Sequence, residues 1–415
     1  MTNNNTTYKN TAIGLIPSDW EVKKLKEIIF EGRLGGNYEN SENNEGIPVI
    51  KMGNIGRGTI NITKLQNLPS GEKYNLDDVL KKGDLLFNTR NTLDLVGKVA
   101  IWNNEIPFAL YNSNLLRLVF KNEFVASNWF MNYSLNSVRS LVQLKGFATG
   151  TTSVAAIYGR DLNHLKIPIP PLPEQQKIAS ILSTWDKAID NCKVIIEELK
   201  IRNKGLTQKL LTGKVRVKGF EKTTWSLVSI KTIAKDSSKK NPNNKDLVVL
   251  SCTKYNGLVP SLEYFGRKIY SDDLTTYKIV SKGQFAYATN HIEEGSIGYQ
   301  SSYDEALISP MYTVFQTDET VNDNFLFRVL KSTNYIHEYQ KRMEGSIDRR
   351  GGLRWDEFSK IKVPVPELKE QIAIVEILDK ATDELNHYQQ KLETLQLQKK
   401  GLMQQLLTGK VRVRI

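Results

Sequence analysis

The segment Leu210-Leu-Thr-Gly-Lys-Val-Arg-Val217 occurs twice in the chain, because it returns unchanged as Leu406–Val413. The same offset of 196 positions aligns Glu174-Gln175 with Glu370-Gln371. The two copies are closely similar at their ends, whereas their first parts have diverged. A repeat of this kind predicts a duplicated structural unit. The sequence therefore predicts one scaffold that carries two different variable domains.

Each copy ends in a heptad pattern that predicts a long helix. Apolar residues recur at alternating steps of four and three from Ile178 to Leu210 and from Ile374 to Leu406, with one polar break at the same place. A repeat of 3.5 residues that is sustained in this way specifies a coiled coil. The predicted seam consists of Ile178, Leu182, Trp185, Ile189, Ile196, Leu199, Leu206, Leu210, Ile374, Leu378, Leu385, Tyr388, Leu392, Leu395, Leu402 and Leu406.

The two helices are expected to pair with each other. Proline-rich segments precede both heptad regions, and Gly213 and Gly409 follow them, as is usual at helix starts and ends. Pairing within the chain buries both seams. Antiparallel pairing is favoured because the first helix leads from one domain to the next and the second leads back. The alternative is two separate core helices.

The regions that precede the helices contain short β-type runs, such as Leu115–Phe120 and 312–315, separated by turns rich in glycine and asparagine. The predicted fold class is α+β. Two mixed β-rich domains are separated by two long helices that form an intramolecular antiparallel coiled coil, with a pseudo-two-fold internal repeat. The predicted boundaries are residues 1–172 for the first domain, 173–214 for the first helix, 215–368 for the second domain and 369–415 for the second helix.

The composition favours a soluble protein with an anionic partner. The chain of 415 residues has 57 Lys and Arg against 45 Asp and Glu, for a net charge of +12. No apolar stretch reaches the roughly 18 residues of a membrane span, and the first residues lack the apolar core of a signal peptide, so a cytoplasmic location is expected. Two cysteines, Cys192 and Cys252, cannot by themselves form a disulfide scaffold or a four-ligand zinc site.

The familiar catalytic motifs do not fit this sequence. A phosphate-binding loop would need glycine where Gln208 and Gln404 stand, and serine or threonine where valine follows the lysine. A metalloprotease helix would need a second histidine where Lys341 stands. An amino-methyltransferase would have Asn or Asp before Pro170-Pro171, but Ile169 is there. We therefore expect no catalytic and no metal-binding residues.

Two pairs of loops are better candidates for nucleic-acid contacts. Asn88–Asn91 follows a predicted strand, with its counterpart at 288–291; a second loop, 145–153, matches 344–352. Arginine and asparagine suit bidentate contacts with base edges, and glycine permits close approach to phosphates. The alternative is ordinary turns with solvated charges. The predicted DNA-binding residues are Lys51, Asn88, Thr89, Arg90, Asn91, Lys145, Thr151, Thr152, Tyr158, Arg160, Lys254, Tyr255, Thr289, Asn290, His291, Arg349, Arg350 and Arg354.

These motifs, taken in order, resemble a known family. Pro168-Ile-Pro-Pro-Leu-Pro-Glu-Gln175 opens a long helix that ends in Leu-Leu-Thr-Gly-Lys, and the plan is repeated after a second variable region. Gly83–Asn91 and Ile16–Trp20 are similar to patterns in the same family. The chain thus resembles the specificity subunit of type I restriction–modification systems from about Ile16 to Val413. The second copy departs from the pattern at residues 288–291, where the arginine is missing.

The resemblance implies a DNA reader without catalytic activity. Each variable domain would be a target recognition domain that reads one half of an asymmetric, bipartite target in double-stranded DNA. The coiled coil would set the gap between the halves and dock two methyltransferase (modification) subunits, and restriction (motor–nuclease) subunits could join. S-adenosylmethionine, ATP and Mg would be held by those partners, and no cofactor by this chain. The competing hypotheses are a coiled-coil adaptor that binds proteins and an enzyme with an unrecognised active site.

Overall fold

The computed structural model describes residues 7–39, 41–42, 45–151, 153–344 and 352–415. The chain divides into two compact units. The first unit combines Met1–Val194 with Gln390–Ile415, and the second unit is Ile195–Gln389. Each unit contains one variable domain and parts of both long helices, and only the first unit consists of two segments of the chain.

The first unit is a mixed β-rich domain with short helices. Its strands are β1 (Tyr8–Thr11), β2 (Gly14–Pro17), β3 (Glu21–Lys24), β4 (Ile29–Leu34), β5 (Ile47–Ile50), β6 (Gln66–Leu68), β7 (Leu85–Asn88), β8 (Arg90–Asn91), β9 (Val99–Ile101), β10 (Leu110–Tyr111), β11 (Leu115–Phe120), β12 (Thr149–Gly150), β13 (Ala155–Ala156) and β14 (Lys166–Ile169). Its short helices are α1 (Leu25–Ile28), α2 (Asn128–Leu135), α3 (Val138–Phe147) and α4 (Gly159–Leu162), with 3-10 turns at Met52–Asn54 and Leu76–Asp78.

An antiparallel sheet in the order β4-β11-β7-β9 forms the centre of the first unit. Helix α2 packs on it and begins at Ser127, whose side chain accepts a hydrogen bond from the Phe130 amide. Strand β14 pairs with β3 and leads directly into the long helix α5 (Leu172–Leu211). The core under the sheet continues into the first turns of α5, since Ile178 and Leu182 belong to the same buried cluster as Phe87.

The second unit repeats this plan. Its strands are β15 (Ser226–Ser229), β16 (Ala234–Asp236), β17 (Lys239–Lys240), β18 (Leu250–Thr253), β19 (Gly257–Pro260), β20 (Lys278–Ser281), β21 (Phe285–Ala288), β22 (Ile297–Tyr299), β23 (Glu305–Ile308), β24 (Tyr312–Thr317) and β25 (Lys362–Val365). Its helices are α6 (Ile230–Ile233), α7 (Ser261–Phe265), α8 (Asp323–Leu330), α9 (Thr333–Glu344), α10 (Trp355–Phe358) and the long α11 (Leu368–Leu406), with a 3-10 turn at Ile292–Glu294.

The sheet β16-β24-β21-β22 has the same antiparallel order as the central sheet of the first unit, and β25 pairs with β15 before leading into α11. The units differ in their smaller sheets. The first has β10-β5-β6, whereas the second has β17-β20-β23 and the hairpin β18-β19. The structural differences between the units are therefore concentrated in the peripheral strands, while the order of the central sheet and the strand before each long helix are shared.

The long helices run antiparallel. In the first unit Asp186 on α5 binds Lys399 on α11, and in the second unit Asn203 Nδ2 donates to the Ala381 carbonyl at 2.7 Å. Later residues of α5 thus face earlier residues of α11. Every predicted seam position is buried or half-buried. These contacts confirm the α+β class with an antiparallel coiled coil and are inconsistent with two separate core helices.

A glycine in the left-handed conformation follows each of the long helices. Gly213 has φ +68° and Gly409 has φ +69°, a region that residues with a Cβ rarely adopt. The helices end at Leu211 and Leu406, just before the two glycines, as the sequence indicated, and the predicted segments 173–214 and 369–415 also include the residues that follow them. No described helix combines the length and apolar character needed to span a membrane.

Candidate nucleic-acid interface

In the first unit the two predicted loops meet in one small sheet. Strand β8 (Arg90–Asn91) pairs with β13, which pairs with β12 in the order β12-β13-β8. The Ile157 amide donates to the Thr89 carbonyl at 3.0 Å just beyond this pairing. Segments more than 50 positions apart in the sequence therefore present one continuous edge.

The side chains of the first loop differ in their exposure to solvent. Arg90 is exposed, whereas Thr89 and Asn91 are half-buried. Thr89 Oγ1 donates to the Asn114 carbonyl at 2.9 Å, and Asn91 Oδ1 accepts from the next backbone amide at 2.8 Å. Asn88 is fully buried and its Oδ1 accepts from the Arg90 amide at 3.2 Å. Arg90 is thus the exposed residue of this loop, and Asn88 supports the turn rather than facing outward.

The second loop adds an exposed aromatic and cations. Tyr158 is 49% exposed, and the Arg160 guanidinium lies 5.7 Å from the centroid of its ring. Lys145, in the last turn of α3, and Thr151 are also exposed. An aromatic ring beside a guanidinium suits stacking on bases and contact with phosphates. Lys51 lies elsewhere, after β5, where its ammonium donates to Gln66 and burial lowers its pKa.

The second unit brings its own two loops together by the same type of contact. The Leu353 amide donates to the Thr289 carbonyl at 2.9 Å. Thr289 is 7% exposed and its Oγ1 donates to the Met311 carbonyl, whereas Asn290, His291 and Arg354 are exposed. At the first loop, the shared backbone scaffold therefore presents Arg90 in the first unit, and Asn290 and His291 in the second.

The Lys254-Tyr255 pair lies in the β18-β19 turn of the second unit. Tyr255 is 78% exposed, and the Lys254 ammonium lies 5.4 Å from its ring centroid. The turn is held by Lys331, whose ammonium donates to the carbonyls of Lys254, at 2.8 Å, and Gly295. Burial lowers the pKa of Lys331. Three predicted residues, Thr152, Arg349 and Arg350, lie outside the described residues.

Sequence reasoning missed a buried cluster that positions each domain on the helices. In the first unit Glu174 is 1% exposed, and its carboxylate accepts from Trp20 Nε1 at 2.9 Å and from Arg412 at 2.8 and 2.9 Å. Arg412 also binds Asp19 through two hydrogen bonds. The signal for this cluster was the exact identity of the repeated octapeptide, which contains the arginine in both copies.

The same cluster recurs in the second unit. Glu370 is fully buried and accepts from Trp225 Nε1 at 2.9 Å and from Arg216 Nε and Nη2 at 2.8 Å. The glutamine next to each glutamate is buried as well. Gln175 accepts from the Ala126 amide, at 3.1 Å, just before α2 in the first unit. The repeated Glu-Gln pair thus ties the start of each long helix to the domain that precedes it.

Comparison with known proteins gives a consistent result. A family model described as the type I restriction modification DNA specificity domain matches residues 17–201 and again 222–396. The MjaX protein of Methanocaldococcus jannaschii, assigned as a type I restriction enzyme specificity subunit, is 29% identical over 98% of this chain and 97% of its own. The MjaVIII specificity subunit of the same organism is 26% identical over 96% of this chain and 94% of its own.

Solved structures agree on the fold. The S subunit of a type I restriction–modification system from M. genitalium superposes with a TM-score of 0.55 at 16% identity, over 98% of this chain and 97% of that one. The HsdS subunit from Thermoanaerobacter tengcongensis gives 0.53 at 17% identity, over 95% and 98%. With two matches to the family model that together span most of its length, this chain belongs to the family of type I restriction–modification DNA specificity subunits.

Proposed function

We propose that this chain reads an asymmetric, bipartite target in double-stranded DNA, one half with each unit. The observation that carries the proposal is the pair of equivalent loop scaffolds with different side chains. Arg90 and the Tyr158–Arg160 pair are exposed on the first, and Asn290, His291 and Arg354 on the second. Because base edges are told apart by the donors and acceptors that meet them, different side chains on one scaffold read different sequences.

The chain acts through partner subunits. Two methyltransferase subunits would dock on the coiled coil and methylate adenine, and restriction subunits would join them when the DNA is to be cut. S-adenosylmethionine, ATP and Mg belong to those partners in this proposal. The complex would work in the cytoplasm. The family assignment does not favour a protein-binding adaptor, and the net charge of +12 suits the phosphate backbone.

The test is sequencing that detects methylated adenine in cells that contain this chain and its methyltransferase subunit. We expect one motif with two different halves separated by a fixed gap. Replacement of residues 16–166 by the equivalent domain of a relative should change one half and leave the other. A motif with identical halves, or a chimera that changes both halves, would contradict the proposal.

Point variants assign the loops. Arg90→Ala should relax or abolish recognition at one or a few positions of one half, and Asn290→Ala should do so in the other half. Each matched contact is worth about 1–3 kcal/mol of discrimination. Each variant is the control for the other, because both should leave the remote half unchanged.

A further inference from the structure

Two cations of the first unit lie on segments that backbone hydrogen bonds hold together. The Gly58 amide donates to the Val99 carbonyl at 2.7 Å, and Gly58 pairs with Ala100 in a parallel bridge. Asn132 Nδ2, from α2, donates to the Gly58 carbonyl at 2.9 Å. The residues just before this contact in each segment, Arg57 and Lys98, are therefore fixed on a rigid part of the sheet.

These two cations lack acidic partners. Among the described residues, neither Arg57 nor Lys98 lies within ion-pair distance of a carboxylate. Arg57 Nη2 donates instead to the carbonyl of Asp94, at 3.4 Å. Partial burial lowers the pKa of both side chains, and the charge of Arg57 lowers the pKa of Lys98 further. Two neighbouring like charges cost free energy that an anion between them would offset.

The cations lie next to the loop that exposes Arg90. The Asn88 amide donates to the Lys98 carbonyl at 2.8 Å, on the strand that leads into this loop, and Asp94 follows the loop. We propose that Arg57 and Lys98 form a binding site for one backbone phosphate of the DNA, beside the half of the target that the first unit reads. This inference rests on the proposed function.

The second unit has equivalent segments without these two cations. The Ala288 amide donates to the Ser296 carbonyl at 3.0 Å, which places Ser296 where Lys98 stands. The Cβ position of Gly257 lies 3.4 Å from the Cα of Gly298, which corresponds to Ala100, so Gly257 corresponds to Gly58. Asn256 therefore takes the place of Arg57. Lys331, at the end of α8, is occupied by backbone carbonyls. The phosphate site therefore belongs to the first unit, and Asn256 and Ser296 provide an internal control.

The test uses the complex of this chain with its methyltransferase subunits and a duplex that contains the target found by methylation sequencing. Fluorescence anisotropy measures affinity over a range of salt concentrations. The slope of log K against log salt is negative, and loss of one phosphate contact makes it shallower by about 1. We expect this change for Arg57→Gln combined with Lys98→Gln. Asn256→Ala combined with Ser296→Ala should leave the slope unchanged.

A second pair of arms separates a phosphate contact from other causes. Arg57→Lys should keep both the slope and the methylated motif, because a phosphate accepts either cation. A neutral methylphosphonate at the contacted phosphate should weaken wild-type binding but not binding of the double variant. Lys26→Gln combined with Lys177→Gln, two exposed lysines of the first unit, makes the same charge change elsewhere and should not alter the slope.

The results that would overturn the phosphate site differ from the result that would contradict the proposed function. An unchanged slope in the Arg57 and Lys98 variant, with tight salt-dependent binding by the wild type, overturns the site and leaves the proposed function intact. A changed methylated motif in Arg57→Lys shows base reading and overturns the phosphate assignment. An equal slope change in the lysine control shows a general charge effect and also overturns it. A wild-type complex that does not bind DNA contradicts the proposed function itself.

Discussion

Arg412 and Glu174 form a buried ion pair in the first unit, with Nε 2.8 Å from Oε1 and Nη2 2.9 Å from Oε2. Arg216 holds Glu370 in the same way in the second unit. In each case the arginine comes from the octapeptide of the other sequence copy. Each octapeptide therefore packs against the domain of the other sequence copy, and both octapeptides make the same contact with a buried glutamate.

Arg412→Ala should destabilise the first unit. Glu174 would remain as a buried charge without its partner, which costs about 3–5 kcal/mol. Hydrogen exchange of backbone amides is the measurement, because it reports each unit separately. We expect faster exchange in β3 and β14, with the second unit unchanged. Arg216→Ala should give the mirror result.

The control for this prediction is Lys410→Ala, an exposed residue of the same octapeptide. It should change stability by no more than about 0.5 kcal/mol. Equal effects of the Lys410 and Arg412 variants would show that the ion pair does not hold the domain.

Gln175→Glu should also destabilise the first unit, by a different mechanism. The Gln175 amide donates to the carbonyls of Phe124, at 2.8 Å, and Pro170, at 2.9 Å. A carboxylate of the same size would face both carbonyls without a proton, and each lost buried bond costs about 1–3 kcal/mol. Chemical denaturation should show the loss. Gln176→Glu, an exposed neighbour, is the control and should be near neutral.

Gly352→Ala should impair DNA recognition by the second unit. Gly352 has φ +65°, and a Cβ would lie 2.4 Å from Asn290 Oδ1 and 2.5 Å from the Thr289 carbonyl. The substitution must displace the loop that carries Asn290, which directly follows strand β21. Methylation sequencing should show loss or relaxation of one half of the motif.

Gly266→Ala is the matched control for this variant. Gly266 has φ +64° in the same unit, but nothing lies within 4 Å of its Cβ position. It shares the backbone strain and lacks the collision. If both variants affected the motif equally, strain alone would explain the result and the close contact with Asn290 would be irrelevant.

The duplicated plan and the helical seam were predictable because both are patterns along the sequence. The partners of the octapeptide were not, since Arg216 shares a copy with Glu174 yet binds Glu370. Which glutamate each arginine binds depends on the antiparallel pairing of the two long helices. The meeting of the two loops was also hidden, because strands of two residues such as β8 carry no periodicity. Strand β7 is buried along its whole length, so its sequence has no alternation of polar and apolar residues that would indicate that Asn88 points inward.

Lys399 and Asp186 should show a measurable coupling. Lys399 binds Asp186 and lies 5.3 Å from the ring centroid of Tyr133, whose hydroxyl donates to Asp186 at 2.6 Å. Burial and the hydrogen bond to Asp186 raise the pKa of Tyr133, so the hydroxyl keeps its proton. A double-mutant cycle with Lys399→Met and Asp186→Asn should give a coupling of about 0.5–2 kcal/mol in unfolding experiments. Strictly additive effects would contradict a direct interaction.

Cys252 should be unreactive in the folded protein. The thiol is buried, its Sγ donates to the Ala286 carbonyl at 3.7 Å, and burial raises its pKa from 9.0 to about 12. At pH 8 about one thiol in ten thousand would be thiolate, the form that attacks disulfide reagents. In a Cys192→Ala variant, we expect reaction with Ellman's reagent to be at least about 100-fold slower in buffer than in guanidinium. Because folding raises the pKa of the Cys252 thiol, its contribution to the free energy of unfolding is complete below pH 9 and is lost as the pH rises towards 12. Rapid labelling of the folded variant at pH 8 would instead show that the β18-β19 hairpin opens.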